Sequence, residues 1–121
     1  MDIQKVNLEE KFEKISDYWN PRVAGSLNGQ LVKLAKFKGE FVWHHHANED
    51  EMFVVISGEF EMHLREKIVN LKKGEFIIIP RGTEHKPVAR EEVEVMLFEP
   101  SSTLNTGNIS NNLTKRNLDE I

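Results

Sequence analysis

Between two glycines, Gly39 and Gly58, the chain reads GEFVWHHHANEDEMFVVISG, and three of its five histidines fall there. His44, His45 and His46 are consecutive. An acidic run, Glu49 to Glu51, follows, and a β-prone stretch, Met52 to Ile56, closes the segment against Ser57 and Gly58. A fourth histidine, His85, ends a second glycine-opened stretch, GEFIIIPRGTEH, from Gly74 to His85. Whatever fold forms must accommodate these imidazoles and carboxylates together.

Strand parity sorts them. Side chains alternate across a strand, so His44 and His46 share one face while Trp43 and His45 take the other. Two imidazoles two apart can chelate one ion. Glu51, at the start of the next strand, can reach the same ion after a hairpin, whereas Asp50 and Met52 face away. His85 is the candidate for the fourth ligand. His63 is expected to be exposed, because Phe60, Met62 and Leu64 read as the buried face of its strand. The metal ligands expected are therefore His44, His46, Glu51 and His85. Such a nitrogen and oxygen set suits one divalent transition metal (Fe, Mn, Zn, Ni, Co or Cu) over calcium or magnesium. Four protein ligands in an octahedral sphere leave open positions, which is the pattern of a catalytic site and not of a closed structural one. The bland alternatives are a polar strand that repeats histidine and a solvated acidic turn. The second is accepted for Glu49 and Asp50. Lys72, Lys73, Arg81 and Lys86 read as solvated loop cations before a phosphate patch.

The rest of the chain sets limits. Its 121 residues suit one domain with one core, and 39% apolar with 30% charged residues describes a soluble globular protein. The net charge of −4 argues against a nucleic-acid partner. With no cysteine there is no disulfide and no thiolate ligand. No apolar h-region opens the chain and no run approaches a membrane span, so a cytoplasmic location with no membrane partner is expected.

In order, residues 7–15 read as a short helix capped by Asn7, with Leu8, Phe12 and Ile15 on one face. Residues 16–29 read as a loop in which Tyr18 and Trp19 cover one end of the core, the alternative being a subunit contact or a pocket lid. From Gln30 the period becomes two, over 30–38, 40–46, 51–56, 59–65, 76–79, 85–89 and 92–98. Glycine-bearing turns between short strands predict an all-β sandwich or barrel. The expected core is Phe53, Val55, Phe60, Met62, Leu64, Phe76 and Ile78. Residues 101–121 are expected to form an extended arm on the surface, with one helical turn near Lys115 to Asp119. The division is a helix and loop over 1–29, a barrel over 30–100 and an arm over 101–121, in one domain.

These blocks resemble the cupin superfamily, in particular its small single-domain members. The first cupin motif reads G, five residues, H-x-H, three or four residues, E, six residues, G. Here stand Gly39, four residues, His44-x-His46, four residues, Glu51, six residues and Gly58. The second reads G, five residues, P-x-G, two residues, H, three residues, N. Here stand Gly74, Pro80-x-Gly82 and His85 at those spacings, with Ala89 in place of the Asn. The shortened first gap and Ala89 are departures; neither removes a metal ligand. The resemblance implies an antiparallel double-stranded β-helix, a jelly-roll barrel, with the metal inside near one mouth. It also implies a homodimer and a small-molecule ligand.

Three readings of function stay open at this stage. One is a metalloenzyme acting on a small polar substrate such as a sugar or sugar phosphate, in the manner of the metal-binding part of mannose-6-phosphate isomerase. The second is an iron-dependent dioxygenase. The third is a barrel that binds a small molecule without turnover. Glu51 is the only acidic residue the pattern places inside, so no separate catalytic base is evident.

Overall fold

The computed structural model describes residues 2–121. A short helix, α1 (Leu8–Glu13), opens the fold. Asn7 caps it by accepting a hydrogen bond from the Glu10 amide at 3.0 Å. Phe12 and Ile15 are buried against Leu34, with Leu8 at the edge of the same cluster. No helix among the described residues is long and apolar enough to cross a membrane.

The expected loop at 16–29 is corrected. It carries a strand, β1 (Arg22–Leu27), which pairs with β2 (Gln30–Glu40). The turn between them places Asn28 and Gly29 at φ 50° and 75°, the left-handed pair that a two-residue hairpin favours. RVAGSL shows no two-residue alternation, with Arg22 to Gly25 half-buried and Ser26 and Leu27 exposed, so periodicity does not mark the strand.

Five more strands follow: β3 (Glu51–Ser57), β4 (Glu59–Leu64), β5 (Ile68–Lys72), β6 (Phe76–Ile79) and β7 (His85–Pro100). Every pairing is antiparallel, in the order β1-β2-β7-β3-β6, with β4 joining β5 and β7. The result is an antiparallel β-barrel of the expected jelly-roll type. β5 was not anticipated. β7 also corrects an expectation, since the break foreseen at Arg90–Glu91 is a bend inside one strand of 16 residues. Its first half pairs with β4, from His85 opposite Leu64 to Val88 opposite Glu61. Its second half lies between β2 and β3, with Val95 opposite both Ala35 and Val55. Gly58 sits against this corner, where any Cβ would press on the Glu92 carbonyl oxygen at 3.0 Å.

Inside lie Ala35 and Phe37 of β2, Phe53 and Val55 of β3, Phe60 and Met62 of β4, and Val93, Val95 and Leu97 of β7. Leu64 packs on them half-buried. Phe76 and Ile78 do not belong to this core; they are 61% and 54% exposed. The run FIII carries no alternation, so pairing decides the face. Glu51 pairs with Ile79 and Phe53 with Ile77, which turns Ile77 and Ile79 inward.

The strand expected at 40–46 is also absent as such. β2 ends at Glu40, past a register shift between Phe37 and Gly39, and Gly39 has φ 85°. That bulge takes the chain off the ladder, and residues 41–46 keep a single bridge, His44 to His85. The arm over 101–121 has turns but no helix. The Asn105 side chain ties down Leu113 and Lys115, holding the backbone open where a helical turn was expected. The arm's end joins β1: Val23 donates to the Asp119 carbonyl at 2.9 Å, and Ile121 donates to Val23 at 3.0 Å.

Candidate metal centre

His44, His46, Glu51 and His85 converge in the barrel, each offering one ligand atom, and these atoms lie within 4.8 Å of one another. All four are buried, at 3%, 4%, 3% and 0% exposure. Three separate pieces of chain deliver them. Glu51 opens β3 and His85 opens β7. His44 and His46 come from the segment after β2, which two backbone hydrogen bonds between His44 and His85, of 2.9 and 3.1 Å, hold in place. The Gly82 amide donates to the His46 carbonyl at 2.7 Å, so the Pro80–Gly82 turn fixes the second histidine. Parity survives the loss of the strand: His44 and His46 point in and His45 does not. Glu51 does not arrive by a hairpin from His46, since β3 pairs with β6 and β7.

The arm clamps the same segment from outside. The His45 amide donates to Asn108 Oδ1 at 2.9 Å, and the Asn108 amide donates to the His45 carbonyl at 3.1 Å. Gly107 lies so close that a Cβ would collide with the His45 carbonyl. The Ser102 hydroxyl adds a bond to Glu49 at 2.8 Å.

Hydrogen bonds settle the histidine tautomers. Nδ1 of His44 is 2.8 Å from the Val42 carbonyl, and Nδ1 of His85 is 2.9 Å from the Thr83 carbonyl. A carbonyl can only accept, so each Nδ1 carries the proton and each Nε2 turns a lone pair inward. Nε2 of His85 lies 3.1 Å from Glu51 Oε1. That contact puts a lone pair against a carboxylate unless a proton or a cation stands between them. Nε2 of His46 is 2.9 Å from the same oxygen, yet it makes no aligned hydrogen bond and is a buried nitrogen without a partner. A cation among these four atoms satisfies all of them at once, so the donor set fits a metal ion. Burial brings the His44 imidazole down to about 4, which keeps it neutral. Burial pushes the Glu51 carboxyl up, but the His46 and His85 imidazoles set against it outweigh that and hold the group well below the usual carboxylate range.

A cavity of about 30 Å³ adjoins the cluster. His44 and Glu51 form one side of it, and Trp19, Phe37, Phe41, Phe53 and Leu97 supply apolar walls. Trp19 stacks on Phe37 and Phe41 at 4.4 and 4.8 Å and donates from Nε1 to the Lys38 carbonyl at 2.9 Å. Its backbone is left-handed, φ 59°, a conformation costing about 1 kcal/mol or more in a residue other than glycine. Trp19 thus covers the core end as expected and also walls the cavity, while Tyr18 lies outside and donates to Glu92 at 2.9 Å.

Two polar groups in this cavity were not foreseen. Lys33 and Glu99 are each 2% exposed and pair at 3.0 Å, Nζ to Oε2. Glu99 corrects the expectation that Glu51 is the sole acid inside; the two carboxyl groups are within hydrogen-bonding reach. Burial, then the charge of Glu51, push the Glu99 carboxyl well above the usual carboxylate range. A signal existed in the sequence. Glu99 continues the inward series Val93, Val95, Leu97, and Lys33 continues Ala35 and Phe37, so each is a charge on an apolar face.

Other named residues stay out of the site. Glu49 and Asp50 lie in the turn, where Asp50 pairs with Arg81 at 3.3 Å. Lys86 pairs with Glu40 at 2.7 Å. His63 is half-buried, not exposed; it faces away from the cluster and contacts Glu61 at 3.1 Å. The Arg65 guanidinium lies 3.9 Å above the Trp43 ring. Ala89, where the cupin motif has Asn, is fully buried in the apolar core.

Comparison with known proteins agrees with this architecture. The sequence model of the Cupin domain matches residues 30–99. The chain belongs to the cupin family. An uncharacterized protein of Bacillus subtilis (strain 168), YdbB, is 41% identical over 61 residues, which is 50% of this chain and 54% of that protein. The chain thus spans about half the length of the curated relatives it matches. Among solved structures, a cupin-2 domain containing protein of Shewanella frigidimarina NCIMB 400 superposes with a TM-score of 0.78 at 43% identity, covering 78% of this chain and 93% of that one. Protein NMB1881 of Neisseria meningitidis shares the fold, with a TM-score of 0.75 at 23% identity over 81% of this chain and 100% of that one.

Proposed function

We propose that the chain is a metal-dependent cupin enzyme in which His44, His46, Glu51 and His85 ligate one divalent transition metal and a small ligand enters the adjoining apolar cavity. The observation that carries this reading is the convergence of three imidazoles and one carboxylate within 4.8 Å, with two ring tautomers locked by backbone carbonyls. The bound ion would supply a Lewis acid with open positions and, where it is redox-active, electrons for oxygen chemistry. The protein's part is to orient and to exclude water. Trp19, Phe37 and Phe41 would give the site apolar walls, and Lys33 and Glu99 present polar groups to the same cavity.

Fold does not choose the reaction. At 18% identity in each case, the barrel is shared with the hydroquinone 1,2-dioxygenase PnpCD and with an Acidithiobacillus ferrooxidans protein provisionally assigned as a sugar phosphate isomerase. The cavity favours a small, largely apolar substrate and oxygen chemistry over sugar phosphates. Its walls are largely aromatic and aliphatic, which suits a ligand with an apolar body better than a polyhydroxylated sugar.

Elemental analysis of protein purified without added metal or chelator, beside His46→Ala, tests the reading. Near-stoichiometric iron lost in the variant would support oxygen chemistry, to be followed by oxygen uptake. Zinc, manganese or nickel would turn attention to isomerase or lyase reactions. No metal in either protein, even after reloading, would overturn the enzyme reading and leave a non-catalytic binding barrel.

A further inference from the structure

The cavity beside the histidine cluster is lined by the metal-centre residues His44 and Glu51 and also by Lys33, Glu99 and Asn105. Lys33 Nζ has two protein acceptors, Glu99 Oε2 at 3.0 Å and the Thr103 carbonyl at 3.3 Å. An ammonium has three N–H donors, so one is left for the cavity that the residue lines.

We propose that this cavity is a binding site for a small monoanion, a carboxylate or an enolate-type oxyanion, gripped between the metal centre and the free N–H of Lys33. The inference rests on the metal reading above and specifies what the site takes. Three considerations support it. First, the fold has no need of a lysine there. Lys33 sits on the inward face of β2 in line with Ala35 and Phe37, where an apolar side chain would pack. A buried ion pair is seldom more stable than an apolar replacement, so stability alone does not account for this one. Second, charge is unbalanced. With the histidines neutral, as ligation requires, a divalent ion and Lys33 outweigh Glu51 and Glu99 by one positive charge. A buried excess of positive charge favours an anion. Third, size is limiting: the cavity is about 30 Å³, which suits a head group of a few atoms.

Glu99 does not compete for this role. It holds one Lys33 proton, and its own reach is toward Glu51. Asn105 belongs to the arm, and its side chain is engaged with Leu113 and Lys115, which leaves Lys33 as the anion anchor.

The test uses the full chain loaded with cobalt(II), titrated with formate and with the neutral isostere formamide, and read by visible absorption. Three proteins are compared: the unsubstituted chain, Glu99→Gln, and Lys33→Met with Glu99→Gln, which removes the lysine without stranding a buried carboxylate. A charged hydrogen bond of the usual strength predicts that formate binding weakens about tenfold or more from Glu99→Gln to the double variant. Formamide binding should stay unchanged between them. Equal formate affinity in those two proteins would overturn the anchor role. Should the double variant fail to fold, the unsubstituted protein decides alone: formate preferred over formamide by about tenfold supports the site, and no preference overturns it. Failure of the unsubstituted protein to take up cobalt would overturn the metal reading itself, and the anion site with it.

Discussion

Gly107→Ala should damage the metal centre from outside the barrel. Gly107 has φ 55°, so any side chain there carries a left-handed penalty of roughly 1–2 kcal/mol. Gly29 has φ 75° and carries the same penalty, but a Cβ on Gly29 meets nothing within 4 Å. The two substitutions therefore share a backbone effect and differ in one respect, the collision with the His45 carbonyl. Carbon–oxygen contacts settle near 3.3 Å or beyond, so that carbonyl must retreat by about 1 Å. His45 lies between two of the four donor residues, and metal–ligand distances tolerate only about 0.2 Å. A fall in metal affinity of about 10- to 100-fold is expected for Gly107→Ala, and none for Gly29→Ala. Chelator competition measures the affinity, and thermal unfolding of the metal-free proteins measures the shared penalty. If Gly107→Ala loses stability like Gly29→Ala yet keeps full metal affinity, the arm merely rests on the histidine segment and the reasoning is refuted.

Other expectations can be checked alongside. His44→Ala, His46→Ala and His85→Ala should each lose most bound metal by elemental analysis, while His45→Ala should retain it, because only its backbone serves the site. Acid should destabilise the metal-free protein in two windows. Between 6.5 and about 4 the unfolded His44 takes a proton that the folded one refuses, a loss of roughly 3 kcal/mol as pH falls. Below the ordinary Glu value of 4.5, Glu51, whose folded carboxyl is held low, adds a further loss as it is forced to protonate. Glu99, pushed upward, works in the opposite direction as pH falls towards 4.5, so the decline should be steeper in Glu99→Gln. Denaturant unfolding across pH 3 to 8 would show the slope, and a flat profile above pH 4 would contradict it. Lys33→Met alone should cost about 3–5 kcal/mol, since it leaves Glu99 buried without its partner, and the double variant should recover much of that loss.

The four-residue cluster was legible because it rests on local rules. Parity put His44 and His46 on one face, and glycine-punctuated blocks placed Glu51 and His85 at strand starts. What escaped was set by pairing. FIII has no alternation, so only the register with β3 shows that Ile77 and Ile79 turn inward. β1 shows no alternation of buried and exposed residues and reads as a loop. Lys33 and Glu99 are 66 residues apart, and each alone resembles an ordinary surface charge. Only their parity with apolar neighbours marks them. The clamp by Asn108 was beyond reach, because nothing in an Asn-rich tail says which backbone it will meet.

β7 has one more consequence. His85 begins the strand and Glu99 stands next to its end, and a straight strand would separate them by more than about 40 Å. Both instead come within reach of Glu51, because the strand folds back at the Arg90–Glu92 corner. The site is the clasp of a bracelet. An ion held at His85 and Glu51, with an anion bridging to Lys33 and so to Glu99, fastens both ends of one strand. Opening the distant corner would then require the clasp to release. Amide exchange around Arg90–Glu92 should slow as the site fills, by an amount that tracks ligand concentration over its dissociation constant. The barrel's remote edge would thereby report on the occupancy of its mouth.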